Sequence, residues 1–332
     1  MKSYPTHMQA IIAQAPGDST VLTLVERSVT EPGPGEVLLR VLAAGINRPD
    51  IMQRQGIAKP PAGTTDVLGL EVCGEVVACG PGVAEDLMGH RLMSLVPGGG
   101  YAPWCVAPVE HSFLVPQGLD DAAAAAMPEG LFTVWHNLFE LGRLQMGETV
   151  LLHGASGGIG TLAIRMARAA GARVIATVAQ PERVESLHEM GVAKAICFKQ
   201  TDFVDACMDF TQGRGVDVVL DVVGGDYIRR NLQVLGFGGR HVSLSFMQGS
   251  SVTIELLTLM QKQLSLHSST MRPQPFKEKV RMADGIRKHV LPLIASGAVR
   301  PHIYATLPLA EVAQGHEMLE KDDVFGKVVL FP

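Results

Sequence analysis

The sequence predicts an α/β chain in two domains: a parallel sheet wound on both faces, and a smaller barrel or sandwich of short strands. Three observations predict it. Residues 149–178 read as strand, glycine turn, helix and second strand. Beyond them, strand-like and helix-like segments keep alternating. Before them, residues 8–116 consist of short apolar runs separated by Gly and Pro. Because the βαβ unit begins near residue 150, a whole domain precedes it.

Each element has a local reason. Residues 37–42 are a β run entered from Pro32, Gly33, Pro34 and Gly35. Residues 71–79 are another, closed by Gly80, Pro81 and Gly82, and 91–95 leads into Pro97 and the glycines 98–100. At Asp120 and Asp121 the pattern changes. Two carboxylates before the alanines 122–126 favour a helix start, because they complement its N-terminal dipole. Pro128 interrupts that helix, and a second runs over 131–141 to Gly142. The strand at 149 feeds the glycine turn, and the helix after it stops at Gly171. A strand at 172–178, a helix at 181–190 and strands at 195–198, 217–223 and 239–244 follow. Phe276, Val280, Ala283, Ile286, Val290, Leu293 and Ile294 share one face of a single helix over about 276–296. The tail, 325–330, returns to strand character and is expected to rejoin the first domain. The expected division is 1–126 with 269–332 against 127–268.

With 332 residues, 47% of them hydrophobic and 18% charged, the chain can bury sizeable cores. A net charge of −5 and the lack of a basic run argue against nucleic acid as a partner. Cys73, Cys79, Cys105, Cys197 and Cys207 are scattered without a CxxC pair, which fits small buried side chains in a reducing compartment. There is no leader pattern and no run of ~18 apolar residues, so a cytoplasmic protein without a membrane span is expected.

The glycine turn carries the chemistry. Gly157 lets the backbone approach a pyrophosphate, and Gly160 lets the helix pack on its strand. Helix-start N–H groups bind anionic oxygens, and Ser156 adds a hydroxyl. With both flanking strands and the helix present, a dinucleotide site outweighs a purely structural turn. An NAD binder places Asp or Glu about 20 residues past the first glycine, for the ribose 2′-hydroxyl. This chain has Thr177, Val178, Ala179 and Gln180 there, then Glu182 and Arg183. A missing carboxylate beside an arginine favours the 2′-phosphate of NADPH over Arg183 as a solvated helix residue.

Other chemistries fit less well. Cys73, Cys105, His90 and His111 match no zinc spacing, and Glu71 is the only acid near a candidate cleft strand, so no metal is expected. Gly154-x-Ser156-x-Gly158 formally fits a hydrolase nucleophile elbow, with Asp221 and His241 or His267 as partners. That reading leaves Gly157, Gly160 and the preceding barrel unexplained. Asn47 could bond a ribose or a substrate, although its residue type alone favours a turn capping the next helix.

Together these residues resemble the medium-chain dehydrogenase/reductase superfamily, in its zinc-free quinone oxidoreductase branch. The likeness spans nearly the whole chain. It is carried by Asn47-Arg48-Pro49-Asp50, Gly69-Leu70-Glu71, Gly98-Gly99-Gly100, Pro128-Glu129-Gly130 with Thr133, and His153 to Gly160. Asp221 to Gly225 and Phe325 to Val329 add to it, and 47–56 is similar to the p53-inducible type. The resemblance implies a GroES-like β barrel plus a Rossmann domain, with the active site in the cleft. It implies NADPH-dependent reduction of quinones or related electrophilic carbonyls, without zinc. Zinc-dependent relatives carry Cys where Asn47 stands. Asn47 and Asp50 become the expected catalytic pair. Ser156, Gly157, Gly158 and Ile159 match pyrophosphate positions, and Arg183 matches the lysine that contacts the 2′-phosphate. Asn47, Thr133, Val223, Leu244, Phe246 and Lys327 match positions around the nicotinamide half, and Phe198 stands near the adenine side. Relatives often carry a Tyr where this chain has Ala58.

The expected reaction is direct reduction of a flat electrophile stacked on the nicotinamide. One-electron transfer to a semiquinone is equally consistent with the residues. The alternatives are an enoyl-thioester or enone reductase of the same superfamily, and a non-catalytic NADPH-binding sensor. A homodimer or homotetramer is expected, with a strand over 251–256 pairing across a two-fold axis.

Overall fold

A computed structural model of the chain describes residues 4–321 and 323–332. Gly/Pro punctuation of short apolar runs produces β1 (His7–Ala13), β2 (Leu22–Ser28), β3 (Glu36–Gly45), helix α1 (Arg48–Arg54), β4 (Glu71–Cys79), β5 (Arg91–Leu95), β6 (Trp104–Pro108) and β7 (Ser112–Leu114). Helices α2 (Asp121–Ala125) and α3 (Pro128–Val134) lead into a π-helical stretch, Trp135–Leu141. Strands and helices then alternate: β8 (Thr149–Leu152), α4 (Gly158–Ala169), β9 (Arg173–Val178), α5 (Arg183–Glu189), β10 (Lys194–Cys197), α6 (Phe203–Phe210), β11 (Val216–Asp221), α7 (Tyr227–Val234), β12 (Leu235–Ser243), α8 (Leu256–Lys262) and β13 (Ser265–Ser268). The chain closes with α9 (Phe276–His289), α10 (Leu291–Ala295), β14 (Ile303–Pro308), α11 (Val312–Glu320) and β15 (Lys327–Phe331). No helix among the described residues is long and apolar enough to cross a membrane.

The chain divides into two compact units. The first comprises Met1–Phe132, Arg272–Ala295 and Pro301–Pro332; the second comprises Thr133–Met271 and Ser296–Arg300. Residues 127–132 lie in the first unit rather than the second. The cause is local: the Glu129 N–H donates to Glu71 at 2.9 Å, and the Phe132 ring packs against Phe113.

Among the described residues, the main sheet of the first unit has the order β14-β15-β3-β4-β5-β7, with β6 also paired to β3. The tail does rejoin this unit: β15 pairs antiparallel with β3 and parallel with β14. Alternate residues Val37, Leu39 and Val41 of β3 meet Val72 and Val76 of β4, and Val328 and Leu330 of β15, in one core. The helix start at Asp120 holds as expected, its carboxylate accepting the Ala123 N–H at 2.7 Å.

The second unit is a parallel sheet of order β10-β9-β8-β11-β12-β13. Strand order reverses between β8 and β11, which opens a crevice at the carboxyl ends there. Its core includes Leu151, Ile175, Ile196, Val219 and Phe203.

Three elements differ from expectation. The single helix over 276–296 is broken at Val290 into α9 and α10, because Pro292 has no N–H to continue the first helix. Its apolar face is also shifted: Phe276 is half exposed while Met282 is buried. The helix expected over 131–141 begins earlier, at Pro128, a position where a missing N–H costs nothing, and widens to π geometry. Finally, 251–255 forms no strand, and α8 opens at Leu256. The place beside β12 is taken by β13.

Candidate functional site

In the second unit, β8 delivers the chain to the glycine turn at the crevice. Gly157 is the N-cap of α4, in extended conformation. The first N–H groups of a helix have no acceptor within it and point out of its end. A Cβ on Gly160 would stand 2.5 Å from the Gly154 carbonyl oxygen and 2.6 Å from the Ala155 Cα, so only glycine allows α4 to sit this close to the turn. A Cβ on Gly157 would meet nothing nearer than the Gly154 oxygen at 3.7 Å. The space over the N-cap is therefore open, and Ser156, Gly157, Gly158 and Ile159 are all partly exposed around it. Donors, dipole and room together fit a pyrophosphate.

The other strands end at the same side of this sheet. Arg183 opens α5 after β9, its N–H bonded to the Gln180 carbonyl at 3.1 Å. Phe198 follows β10, its N–H bonded to the Val178 carbonyl, and its ring stands edge-on to Tyr227. Beyond β11 and β12, the Leu244 N–H reaches the Asp221 carbonyl at 2.7 Å and the Gln248 N–H reaches the Val223 carbonyl at 2.8 Å. These bonds close a loop that carries the exposed ring of Phe246. The sheet thus brings Ser156 to Ile159, Arg183, Phe198, Val223, Leu244 and Phe246 to one end. Thr133 belongs to this unit too, on α3, where its carbonyl accepts the Asn137 amide.

Beneath the turn lies a polar cluster of which sequence reasoning paired only Asp221 and His241. The His153 ring nitrogens contact Thr177 Oγ1 at 2.9 Å and Asn231 Oδ1 at 2.8 Å. Asn231 also meets His241, which lies 3.3 Å from Asp221. Burial lowers the His153 pKa and keeps the ring neutral. Burial alone would raise the Asp221 carboxyl, but the His241 hydrogen bond and the Val223 N–H hold it below the usual carboxylate range. Asp221 and His241 thus do form the pair a hydrolase elbow needs. They are sealed at 0% and 1% exposure, however, and their hydrogen bonds run to one another, Asn231 and the Val223–Gly224 backbone rather than to Ser156.

In the first unit, Asn47, Asp50 and Lys327 come together around Glu71. The Lys327 Nζ donates to Glu71 Oε1 at 2.5 Å, Asn47 Oδ1 at 2.7 Å and the Ile46 carbonyl at 3.0 Å. An ammonium has three donors, and these acceptors use all of them. The Asn47 amide nitrogen completes the ring to Glu71 at 2.9 Å. Gly45 makes room for this: a Cβ there would lie 2.1 Å from Glu71 Oε1. Asp50 accepts the Asn47 N–H at 2.8 Å, the Tyr101 hydroxyl at 3.1 Å and the Gly69 N–H at 3.3 Å. Burial pushes its pKa up to about 6. The bonds continue from Tyr101 to His316, Arg54 and Glu320. His316 is neutral, its pKa lowered to about 3 by burial and then by Arg54. Asn47 and Asp50 are thus each fully engaged within the protein, and Asn47 also caps α1. The signal available for Lys327 and Glu71 was a lone charge at the end of an apolar strand. Tyr101, Arg54, His316 and Glu320 carried no such signal. Among the described residues, no group of three or more His, Cys, Asp or Glu side chains is placed to hold a metal ion.

Comparison with known proteins locates both units. Residues 33–117 match the alcohol dehydrogenase GroES-like domain, and 158–284 match the zinc-binding dehydrogenase domain. The human synaptic vesicle membrane protein VAT-1 homolog is 30% identical over 322 residues, covering 91% of this chain and 80% of that protein. The solved structure of a mycobacterial quinone oxidoreductase superposes with a TM-score of 0.86 at 28% identity, covering 98% of this chain and 100% of that one. The JamJ enoyl reductase gives a TM-score of 0.86 at 27% identity, covering 98% and 99%. The chain spans about 15% of the length of the curated relatives it matches at 31% identity.

Proposed function

We infer the function from one premise: the chain belongs to the medium-chain dehydrogenase/reductase superfamily of NAD(P)-dependent oxidoreductases. Its activity is reduction of quinones or related electrophilic carbonyls by NADPH, without bound zinc. The observation that carries this reading is the open glycine cradle at the switch point of the parallel sheet. The dinucleotide, when bound, supplies the hydride.

The chain supplies position. The N–H groups of Gly158 and Ile159 and the Ser156 hydroxyl hold the pyrophosphate, and the α4 dipole favours its charge. Arg183, which opens α5 beyond β9, takes the 2′-phosphate, with no carboxylate over 177–181 to hold a ribose hydroxyl instead. Phe198, Val223, Leu244 and Phe246 form apolar rims at the same strand ends. The metal-free reading is supported by the first unit: the Asn47 amide and the Lys327 ammonium both donate to Glu71, so the cation beside that carboxylate is the ammonium itself. Asp50, Tyr101 and His316 are bonded to one another, so the product takes its proton from water.

Mixing protein, NADPH and 1,4-benzoquinone and following nicotinamide absorbance tests the reading. Loss of absorbance that scales with enzyme is expected; no turnover on any of several quinones overturns it. Two further readings remain distinguishable. The fit to an enoyl reductase favours an enone or enoyl-thioester acceptor, seen as crotonyl-CoA being reduced faster than any quinone. Tight NADPH binding with no acceptor at all marks a sensor. The homodimer or homotetramer is part of the proposal, and sedimentation mass reads it.

A further inference from the structure

The buried Asp221 carboxylate, at the end of β11 in the second unit, serves no nucleophile. Its Oδ1 accepts the Val223 N–H at 2.7 Å, and the Gly224 N–H reaches both oxygens, at 3.3 and 3.2 Å. The chain thus folds back over its own side chain, and these contacts favour the ionised carboxylate. Gly224 and Gly225 follow at φ of +72° and +54°. A Cβ on Gly224 would stand 2.7 Å from the Gly249 carbonyl oxygen and 2.8 Å from Phe246 Cδ1. One on Gly225 would stand 2.7 Å from the Gln248 carbonyl oxygen. Val222 in turn lies against the glycine turn: a Cβ on Gly154 would stand 2.6 Å from its Cγ2. Residues 222–225 therefore touch both the glycine turn and the loop that carries Phe246. Asp221 ties them down twice, through its carboxylate to Val223 and Gly224 and through its carbonyl to the Leu244 N–H.

We propose that Asp221 is a positioning residue of the dinucleotide site: its carboxylate fixes the 222–225 turn, and through it the Phe246 loop, and so sets the grip on the nicotinamide half alone. The sheet order gives this selectivity its reason. Arg183 and Phe198 follow β9 and β10, on one side of β8, whereas 222–225 and 244–249 follow β11 and β12, on the other. A dinucleotide whose pyrophosphate lies at the start of α4 extends both ways from β8, its ADP half towards Arg183 and its nicotinamide half towards the turn that Asp221 holds. Asparagine is no substitute for the carboxylate: it keeps one acceptor, but its amide nitrogen sets a donor against the Gly224 N–H. The inference deepens the reductase reading and rests on it for the identity of the dinucleotide.

The test reads the two halves of the ligand separately, without turnover. NADPH and 2′,5′-ADP, which lacks the nicotinamide half, are titrated calorimetrically into wild type, Asp221→Asn, Gly224→Ala and Val216→Ala. Wild type is expected to bind both. Asp221→Asn is expected to weaken NADPH about tenfold and 2′,5′-ADP by less than about twofold, and to speed amide hydrogen exchange at Val223 and Gly224 about tenfold. Gly224→Ala displaces the Phe246 loop with the carboxylate in place. It is expected to give the same split in affinity and covers the case in which Asp221→Asn does not fold. Val216→Ala opens a cavity in the core at the other end of β11; it is expected to lower the urea midpoint and leave the ratio of the two affinities unchanged, the pattern of lost stability alone. Equal loss of NADPH and 2′,5′-ADP in the Asp221 and Gly224 variants overturns the proposal, because the carboxylate then serves only the fold. Unchanged binding of both ligands, or unchanged exchange at Val223 and Gly224 in Asp221→Asn, overturns it as well. A wild type that binds neither ligand removes the dinucleotide reading and the proposal with it; a wild type that binds both, with variants that lose both equally, removes the positioning role alone.

Discussion

The surroundings of Glu71 and the start of α4 treat polar groups in opposite ways. Around Glu71 in the first unit, the Lys327 ammonium, the Asn47 amide and the Asp50 carboxylate satisfy one another, and the cluster is sealed. At the start of α4 in the second unit, the donors face open space and Gly157 carries no side chain to fill it. A cluster whose donors are used up inside the protein is told apart in this way from one whose donors remain open. Both hold residues that sequence reasoning singled out, yet only the second has donors left over for a ligand.

The largest effect should come from breaking the closed cluster. Lys327→Met leaves the Glu71 carboxylate buried and uncompensated, at a cost of about 3–5 kcal/mol in urea unfolding. Lys327→Met together with Glu71→Leu should cost less than the single change, because no charge stays behind. A double variant as damaged as the single one would show that packing, not charge, holds the cluster.

A pH profile probes the same cluster more gently. The folded-state pKa of Asp50, about 6, lies above its unfolded value, so the folded protein binds the extra proton between the two. Its contribution to stability therefore falls as pH rises from about 4 to about 6, by roughly 2–3 kcal/mol. His316, with a folded pKa of about 3, contributes in the opposite direction, rising with pH from about 3 to about 6.5. Asp50→Asn removes the fall and uncovers the rise. Unfolding midpoints across this range, compared with wild type, check the sign.

Changes to the open region should act on ligand more than on fold. Gly160→Val forces α4 off the turn and should cost about 1–3 kcal/mol of stability, with NADPH affinity lowered by more than about tenfold. The smallest effect is Arg183→Ala, which should narrow the preference for NADPH over NADH by about tenfold, read by fluorescence titration of both.

The open region was legible in the sequence because its logic is local. Strand, glycines, helix and second strand fall within thirty residues, and the absence of a carboxylate after Val178 can be read directly. β4 and β5 were also readable to the residue, bounded as they are by Gly and Pro. The closed cluster was legible only in fragments. Lys327 and Glu71 are 256 positions apart, and Arg54 finds His316 across 262. No periodicity connects such pairs; they follow from β15 joining β3. Likewise His153 was visible beside the turn, but its bonds to Thr177 and Asn231 depend on sheet order. The break at Val290 was misread because seven apolar residues kept helical spacing across Pro292.

The most direct test of this contrast is NADPH titration into three proteins: wild type, Gly160→Val, and the Lys327→Met/Glu71→Leu double variant. Wild type is expected to bind, the double variant to bind within about threefold of it once folded, and Gly160→Val to lose binding by more than about tenfold. Gly160→Val binding NADPH as tightly as wild type, while the folded double variant does not bind it, would contradict the account.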